Sequence, residues 1–526
     1  MLRAGGSAVD AAIAANAVLG VVMGSACGIG GDAFWLIWDE AAGRQEALNG
    51  SGRAGALADP TALRARGLAR LPFRGPLTIT VPGAVRSWAD AHQRFGRLPR
   101  TDVLAPAIEL ARDGFPADDG FRRSVETSAA AFDRELGSAA AGWHAVYRPH
   151  GRPWWPGERV RLPALAATLA RIADAGWDDV YAGQIATGQA AALAAAGALV
   201  TAADLAAHES TWTEPLAIDY RGVRVTTHPP NSSGIVALQI LRILERLGPP
   251  PAASFAPGDG GATGGADVGW VHAGIEATKL ALADRDAHLT DPAFRDVPVA
   301  YLLDPAYAAR LARRIDPARA AAPPPASVPR GGGTIWLGAV DHAGNAVSLI
   351  ESNYAGFGSG IVDPATGIAY QNRGSFFSLD PAHANVLAPG KRTLHTLLPG
   401  MLFRAGRPWV VVGSMGGDAQ PAIHAQVVSS LVDGGLDVAA AVAAPRWFPE
   451  PPRHFDPPDV VVVEPRFCDG LLDGLRARGH RLDVAAPFDA RLGHCHAIEL
   501  VDGGPAAGGT LAAATDPRSA GLPAAW

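Results

Sequence analysis

Thr334 follows a glycine run, Gly331-Gly332-Gly333, and opens a stretch of strand character, TIWLGAVD. A neutral threonine hydroxyl is a weak nucleophile, and an adjacent amine can activate it by accepting its proton. Cutting the Gly333–Thr334 bond would create that amine on the same residue. Its reference pKa of about 7.7–8.0 suits proton transfer at neutral pH. A hydroxyl residue at such a border can equally just begin a strand. Both readings stand until other residues are placed around it.

A second group with chemical potential is Gly413-Ser414-Met415-Gly416-Gly417-Asp418, between the apolar run WVVV and a helix. Adjacent glycines there expose backbone N–H groups that suit an oxyanion hole. An ordinary strand-to-helix turn would look the same. His494-Cys495-His496 would put two imidazoles on one face of a strand, but no further ligand pair has structural-zinc spacing. A packed strand without metal is expected. His272, Glu276 and Lys279 share a helical face, with Glu276 and Lys279 expected as a surface ion pair.

Cofactor motifs fail on inspection. Gly50-Ser51-Gly52-Arg53-Ala54-Gly55 spells G-x-G-x-x-G, yet the next helix begins only at Asp59-Pro60, and Arg70 stands where an acidic partner would sit. The runs at 28–31 and 356–360 are incomplete versions. All three are expected to be tight turns with close backbone approach. No Walker A motif and no G-x-S-x-G elbow occurs. No cofactor and no metal is expected.

The elements that must position these residues follow from periodicity. Residues 7–23 read as a helix of small residues, and 34–48 as a strand pair. Residues 86–112 and 161–207 read as mainly helical, with breaks at Pro106, Gly114 and Gly183. YRGVRVTTHPP is a strand running into a turn before the helix IVALQILRILERL. Residues 249–268 and 318–333 read as loop and linker. TIWLGAVD with AVSLIES, and GMLFRAG with RPWVVVGS, are hairpins. DAQPAIHAQVVSSLVDGG is a helix. Helices flanking hairpin-connected strands predict layered α and β structure, not a parallel βαβ array.

The 526 residues are 48% hydrophobic and 18% charged, which predicts a globular chain with a large core. A net charge of −6 gives no electrostatic case for nucleic acid. Residues 11–29 carry no charge but are mostly Ala and Gly, so a buried helix is expected in place of a membrane span. Three cysteines, an odd number, favour a reducing compartment, hence the cytoplasm. A true start upstream of Met1, with a signal peptide, would instead mean the periplasm or secretion.

Several stretches together resemble one family, the γ-glutamyltransferases (glutathione hydrolases) of the N-terminal-nucleophile hydrolase class. They are LRAGGSAVDAAIAANAVLGVV, GIGGDAFWLI, PLTITVPGAVRSW, LAPAIELARDGF, HAGIEATKLALADRDAHL, TIWLGAVDHAGNAVSLIESNYAGFGSGIV, APGKRTLHTLLPGM, GSMGGDAQ and ATDPRSAG, in order. The resemblance implies a four-layer αββα sandwich. It implies self-cleavage between Gly333 and Thr334 into regions 1–333 and 334–526, which remain together as a heterodimer of the chain's own fragments. Thr334 would be the nucleophile, Ser352 the hydroxyl that hydrogen-bonds it, and Gly416 and Gly417 the oxyanion hole.

The departures bear on substrate. The family's asparagine at the donor's amino-acid end falls on Tyr354, and its acidic residue for the donor α-amine falls on Phe376. Two serines for the α-carboxylate fall on His395 and Thr396. The large-subunit arginine falls on Ser51, with Arg53 two residues away. An ammonium group would meet a phenyl ring at 376, and a buried charge without its partner costs about 2–5 kcal/mol. An acyl group lacking that ammonium fits better, with Arg53 or Arg373 clamping a carboxylate. NYAGFGSGIV and QNRGSFFSLDP are similar to the branch that includes cephalosporin (glutaryl) acylases. The expected activity is an amidohydrolase or acyltransferase on γ-glutamyl or glutaryl-type amides, with water or an amine as acceptor. A true glutathione hydrolase with different α-amine recognition is one alternative, and a catalytically silent binding homologue another.

Overall fold

The computed structural model describes residues 1–251, 267–322, 333–450, 459–467 and 469–525. The expected loop at 249–268 and linker at 318–333 fall largely outside them, as do Gly331, Gly332 and Cys468. Two antiparallel sheets form the centre. The first runs in the order Thr211–Thr213, Arg44–Gly50, Asp32–Asp39, Ala346–Tyr354, Gly333–Val340. The second runs Thr510–Ala514, His494–Val501, Arg407–Met415, Gly400–Arg404, Val223–Thr227, Leu216–Tyr220. Each draws strands from both sides of the Gly333–Thr334 bond.

Strand alternation explains the layering. In Asp32–Asp39, Phe34, Leu36 and Trp38 enter a core with Trp336, Ile350, Met401 and Val411, from both sheets. Ala33, Trp35 and Ile37 point the other way, into a core with helices Ala8–Val22, Ala84–Phe95 and Arg100–Asp113. A strand buried on both faces needs a continuous apolar run, and FWLIW supplies it. The second sheet packs its outer face on helices Gly234–Arg246, Val268–His288 and Gln420–Val432. The order is therefore helices, sheet, sheet, helices, the αββα sandwich that the resemblance implied. Truncating Phe34 or Trp35, both fully buried, to alanine is expected to cost about 3–5 kcal/mol.

Most expected elements form, and two expectations need correction. Pro106 does not break its helix; it lies inside Arg100–Asp113. The break falls earlier, between Phe95 and Arg100, where Gly96 caps the preceding helix. Proline's φ is itself helical, and burial of Val103, Leu104, Ala107 and Ala111 offsets the lost bond. The Glu276–Lys279 pair exists at 2.7 Å but is buried, not superficial, with side chains 4% and 8% exposed. Residues 316–321 cover it: Ala321 N–H donates to Glu276, and Lys279 donates to the Ala321 carbonyl.

The glycine runs are tight turns. A Cβ on Gly52 would lie 1.6 Å from the Val81 carbonyl oxygen, and one on Gly30 2.1 Å from that of Ala369. His494 and His496 lie on one strand, as expected, and Cys27 and Cys495 are free and buried. Among the described residues no helix is long and apolar enough to cross a membrane.

Candidate active site

The hairpin Gly333–Val340/Ala346–Tyr354 has regular register up to Ile335, which faces Glu351. Gly333 then faces Tyr354, so Thr334 alone stands against Ser352 and Asn353. Such a bulge re-aims side chains at the end of a strand pair. Here Asn353 is the extra residue, and Thr334, which the hairpin register pairs with Ser352, has its Oγ1 3.2 Å from Ser352 Oγ. Ser352 Oγ also donates to the Gly333 carbonyl and accepts from the Tyr354 N–H at 2.7 Å. Tyr354 has φ 74°, a left-handed conformation that is strained for an aromatic residue. It turns the chain just past the bulge. Thr334 is 3% exposed.

Arg373 reaches the same hydroxyl. Its Nη2 lies 3.3 Å from Ser352 Oγ, and its Nη1 donates to Thr396 Oγ1 at 2.9 Å. The guanidinium lies 4.6 Å from the ring centre of Tyr354 and 5.5 Å from that of Phe376. Its Nε is buried without a hydrogen-bond partner among the described residues. Burial pulls the Arg373 pKa down to about 10, so the group remains cationic at neutral pH.

Asp32 opens the strand beside Ser352, opposite it in register. Its Oδ1 accepts from Gly52 N–H at 2.9 Å, and its Oδ2 lies 3.2 Å from His395 Nε2. The Leu397 N–H donates to His395 Nδ1, so Nε2 carries the proton and donates to Asp32. Burial holds the imidazole well below its usual range and neutral. Burial also pushes Asp32 up to about 7, against the opposing pull of Arg373 and Arg392.

The Gly416-Gly417 turn is tied to this group from the second sheet. Gly416 and Gly417 have φ 145° and 54°, which favour glycine, and start a 3₁₀ turn leading into helix Gln420–Val432. Three residues earlier, a Cβ on Gly413 would lie 2.0 Å from Trp336 Nε1. The turn's strand thus packs directly on the Thr334 strand. Asp418 pairs with the fully buried Arg285 and adds to the negative field on Arg373.

The whole chain, residues 1–526, matches the sequence profile of the gamma-glutamyltranspeptidase family. It is 37% identical over 522 residues to the glutathione hydrolase-like YwrD proenzyme of Bacillus subtilis, covering 99% of this chain and 94% of that one. It is 38% identical over 538 residues to the oxamate amidohydrolase proenzyme of Klebsiella pneumoniae, covering 100% and 95%. The structure of cephalosporin acylase from Bacillus halodurans superposes with a TM-score of 0.89 at 38% identity, covering 100% of this chain and 92% of that one.

This chain belongs to the gamma-glutamyltranspeptidase family. Its relatives are enzymes, several described as proenzymes, and their acylases and amidohydrolases make this member an enzyme of hydrolase or transferase type.

Within this family member the structure brings Thr334, Ser352, Arg373, Tyr354, Phe376, His395 and Thr396 into one buried group. Arg53 is not part of it. Its guanidinium is 32% exposed and lies 3.7 Å from Asp291. Sequence reasoning passed over Asp32 and Glu351. Each carries a signal: an aspartate directly after the glycine turn GIGG, and a glutamate inside the otherwise apolar strand AVSLIES. His272, Glu276 and His480 place three ligand atoms within 4.8 Å of one another. The set is internally satisfied. His272 Nε2 donates to the Asp316 carbonyl at 2.8 Å, Nδ1 faces His480 Nε2 at 2.8 Å, and the Lys279 ammonium already holds Glu276.

Proposed function

We propose that this enzyme is a self-processing N-terminal-threonine amidohydrolase or acyltransferase whose preferred acyl group bears a carboxylate and no ammonium. The observation that carries the reading is Ser352 Oγ, which hydrogen-bonds both Thr334 Oγ1 and the Gly333 carbonyl. In the uncut chain, Thr334 Oγ attacks the Gly333 carbonyl carbon while Ser352 polarises its oxygen. The C–N bond breaks, nitrogen takes the hydroxyl proton, and an ester joins Gly333 to Thr334. Water hydrolyses that ester, leaving a Gly333 carboxylate and a free Thr334 amine.

In the cut enzyme the amine accepts the hydroxyl proton as Thr334 attacks an amide substrate. The N–H groups at Gly416 and Gly417 stabilise the oxyanion. The leaving amine departs with a proton, and water or another amine releases the acyl group. Arg373 supports the substrate reading. It is a buried cation beside the nucleophile's partner, with Tyr354 and Phe376 against it. It attracts a carboxylate and repels an ammonium. Asp32 is already held by Gly52 and His395, and burial, by raising its pKa to about 7, leaves it only partly anionic at neutral pH. The oxamate amidohydrolase among the relatives agrees with an acyl carboxylate, since oxamate carries one beside its amide. Glutaryl and γ-glutamyl anilides, compared on the cut enzyme, test this. A higher kcat/KM for glutaryl is expected, and a preference for γ-glutamyl refutes it.

A further inference from the structure

Glu351 precedes Ser352 in its strand and so points to the opposite face of the sheet, toward helix Ala8–Val22. There it accepts from the Gly28 N–H with both carboxyl oxygens, at 2.9 and 3.1 Å, and from Asn16 Nδ2 at 2.9 Å. Asn16 is held in turn by Trp88 Nε1 at 2.8 Å. The turn that ends at Gly28 also bonds to the hairpin: Asn353 N–H donates to Ala26 and Phe357 N–H to Ser25, at 3.0 and 2.8 Å. This turn forms one wall around the scissile glycine. A Cβ on Gly333 would lie 3.3 Å from the Ser25 carbonyl oxygen, 3.5 Å from Ala26 Cα and 3.5 Å from the Tyr354 carbonyl oxygen.

We propose that Glu351 is a positioning residue for cutting of the Gly333–Thr334 bond: it fixes the Ser25–Gly28 turn against Gly333, so that the carbonyl is presented to Thr334 and Ser352. The proposal rests on the self-processing reading above. Two successive residues of one strand thus serve one bond from opposite faces of the sheet. Ser352 touches the carbonyl, and Glu351 holds the wall behind it. Two N–H donors, one of them shared between both oxygens, suit an acceptor-only carboxylate. Burial, with the charge of Asp32 added, pushes its pKa up to about 8. The other titratable groups facing it are the Cys27 thiol, itself pushed up by burial, and beyond that Tyr147. Burial makes the ionised form costly to the fold as a whole, but the Gly28 and Asn16 hydrogen bonds favour it, so ionisation of Glu351 strengthens its hold on the turn as pH rises, and cutting accelerates with it.

The test follows newly synthesised full-length protein by gel densitometry across pH 6–9 in wild type, Glu351→Gln, Glu351→Ala and Asn16→Ala. The cut fraction of each is then assayed on one anilide donor. Cutting is expected to slow at least tenfold in Glu351→Ala and less in Glu351→Gln. The glutamine variant loses the wild-type rise near pH 8, and KM of the cut enzyme moves little. Cutting at the wild-type rate with the wild-type pH profile in the glutamate variants overturns the proposal. If Glu351→Ala does not fold, Asn16→Ala decides: slower cutting supports the role, and an unchanged rate overturns it. A wild type that never cuts overturns the self-processing reading instead, and with it this one.

Discussion

Thr334 Oγ1 lies 3.2 Å from Ser352 Oγ, its partner in the hairpin register, at the last regular pair before the hairpin bulges. Both side chains project into the space between the two sheets, where Trp336 and Ile350 continue the same faces. Register continued past Ile335–Glu351 sets Thr334 opposite Ser352, and an unbulged strand would then set Gly333 opposite Asn353 in place of Tyr354. The bulge and the left-handed Tyr354 after it end the regular pairing just beyond the hydroxyl–hydroxyl contact.

Removing the Ser352 hydroxyl is therefore expected to impair both reactions of Thr334. Loss of one donor to a developing oxyanion costs about 10²–10³ in rate. Ser352→Ala should slow cutting by about that factor, and Ser352→Thr should restore most of it. Densitometry of the full-length band against time checks this. An alanine variant that cuts at the wild-type rate contradicts the role.

Arg373 should govern donor choice. Arg373→Gln removes the buried cation and is expected to lose about 2–5 kcal/mol of transition-state binding for a carboxylate-bearing acyl group. An uncharged acyl anilide should be affected far less. Equal losses on glutaryl and butyryl anilides would count against a carboxylate contact.

Two buried carboxyls set a pH dependence of stability. Asp32 is raised from 3.8 to about 7, and Glu351 from 4.5 to about 8. A carboxyl with a raised folded pKa keeps its proton in the folded protein after the unfolded chain has lost it. Its favourable contribution is complete below the unfolded value and disappears as pH climbs through the folded one. The melting temperature should fall between about pH 4 and 8, and Glu351→Gln should flatten the upper part of that slope. A wild-type profile that is flat over this window contradicts the assignment.

Lys279→Met leaves Glu276 buried without its cation, since their side chains are only 8% and 4% exposed. Breaking a buried pair on one side costs about 3–5 kcal/mol. The double change Lys279→Met with Glu276→Leu should recover much of that loss. Chemical denaturation of the three proteins measures it, and a single variant as stable as wild type refutes the burial argument.

The sandwich was legible because its signals are local. FWLIW, TIWLGAVD and RPWVVVGS announce strands, and the glycines at 416 and 417 sit where strand gives way to helix. The candidate site was legible only in part. Thr334 and Ser352 are separated by one short turn, whereas Asp32 meets His395 and Glu351 meets Gly28 across more than three hundred residues. No periodicity connects such pairs; only sheet order does. The same holds for Lys279. A helical face with Glu276 on it reads as solvated until residues 316–321 close over it.

The central claim is that the Gly333–Thr334 bond is cut by Thr334 itself. Intact mass and N-terminal sequencing of the purified protein, beside Thr334→Ala, test it most directly. Wild type is expected to give two chains, 1–333 and 334–526, the second beginning with threonine, while Thr334→Ala remains one inactive full-length chain. A wild type that stays whole and active, or an alanine variant cut at the same bond, would contradict the account.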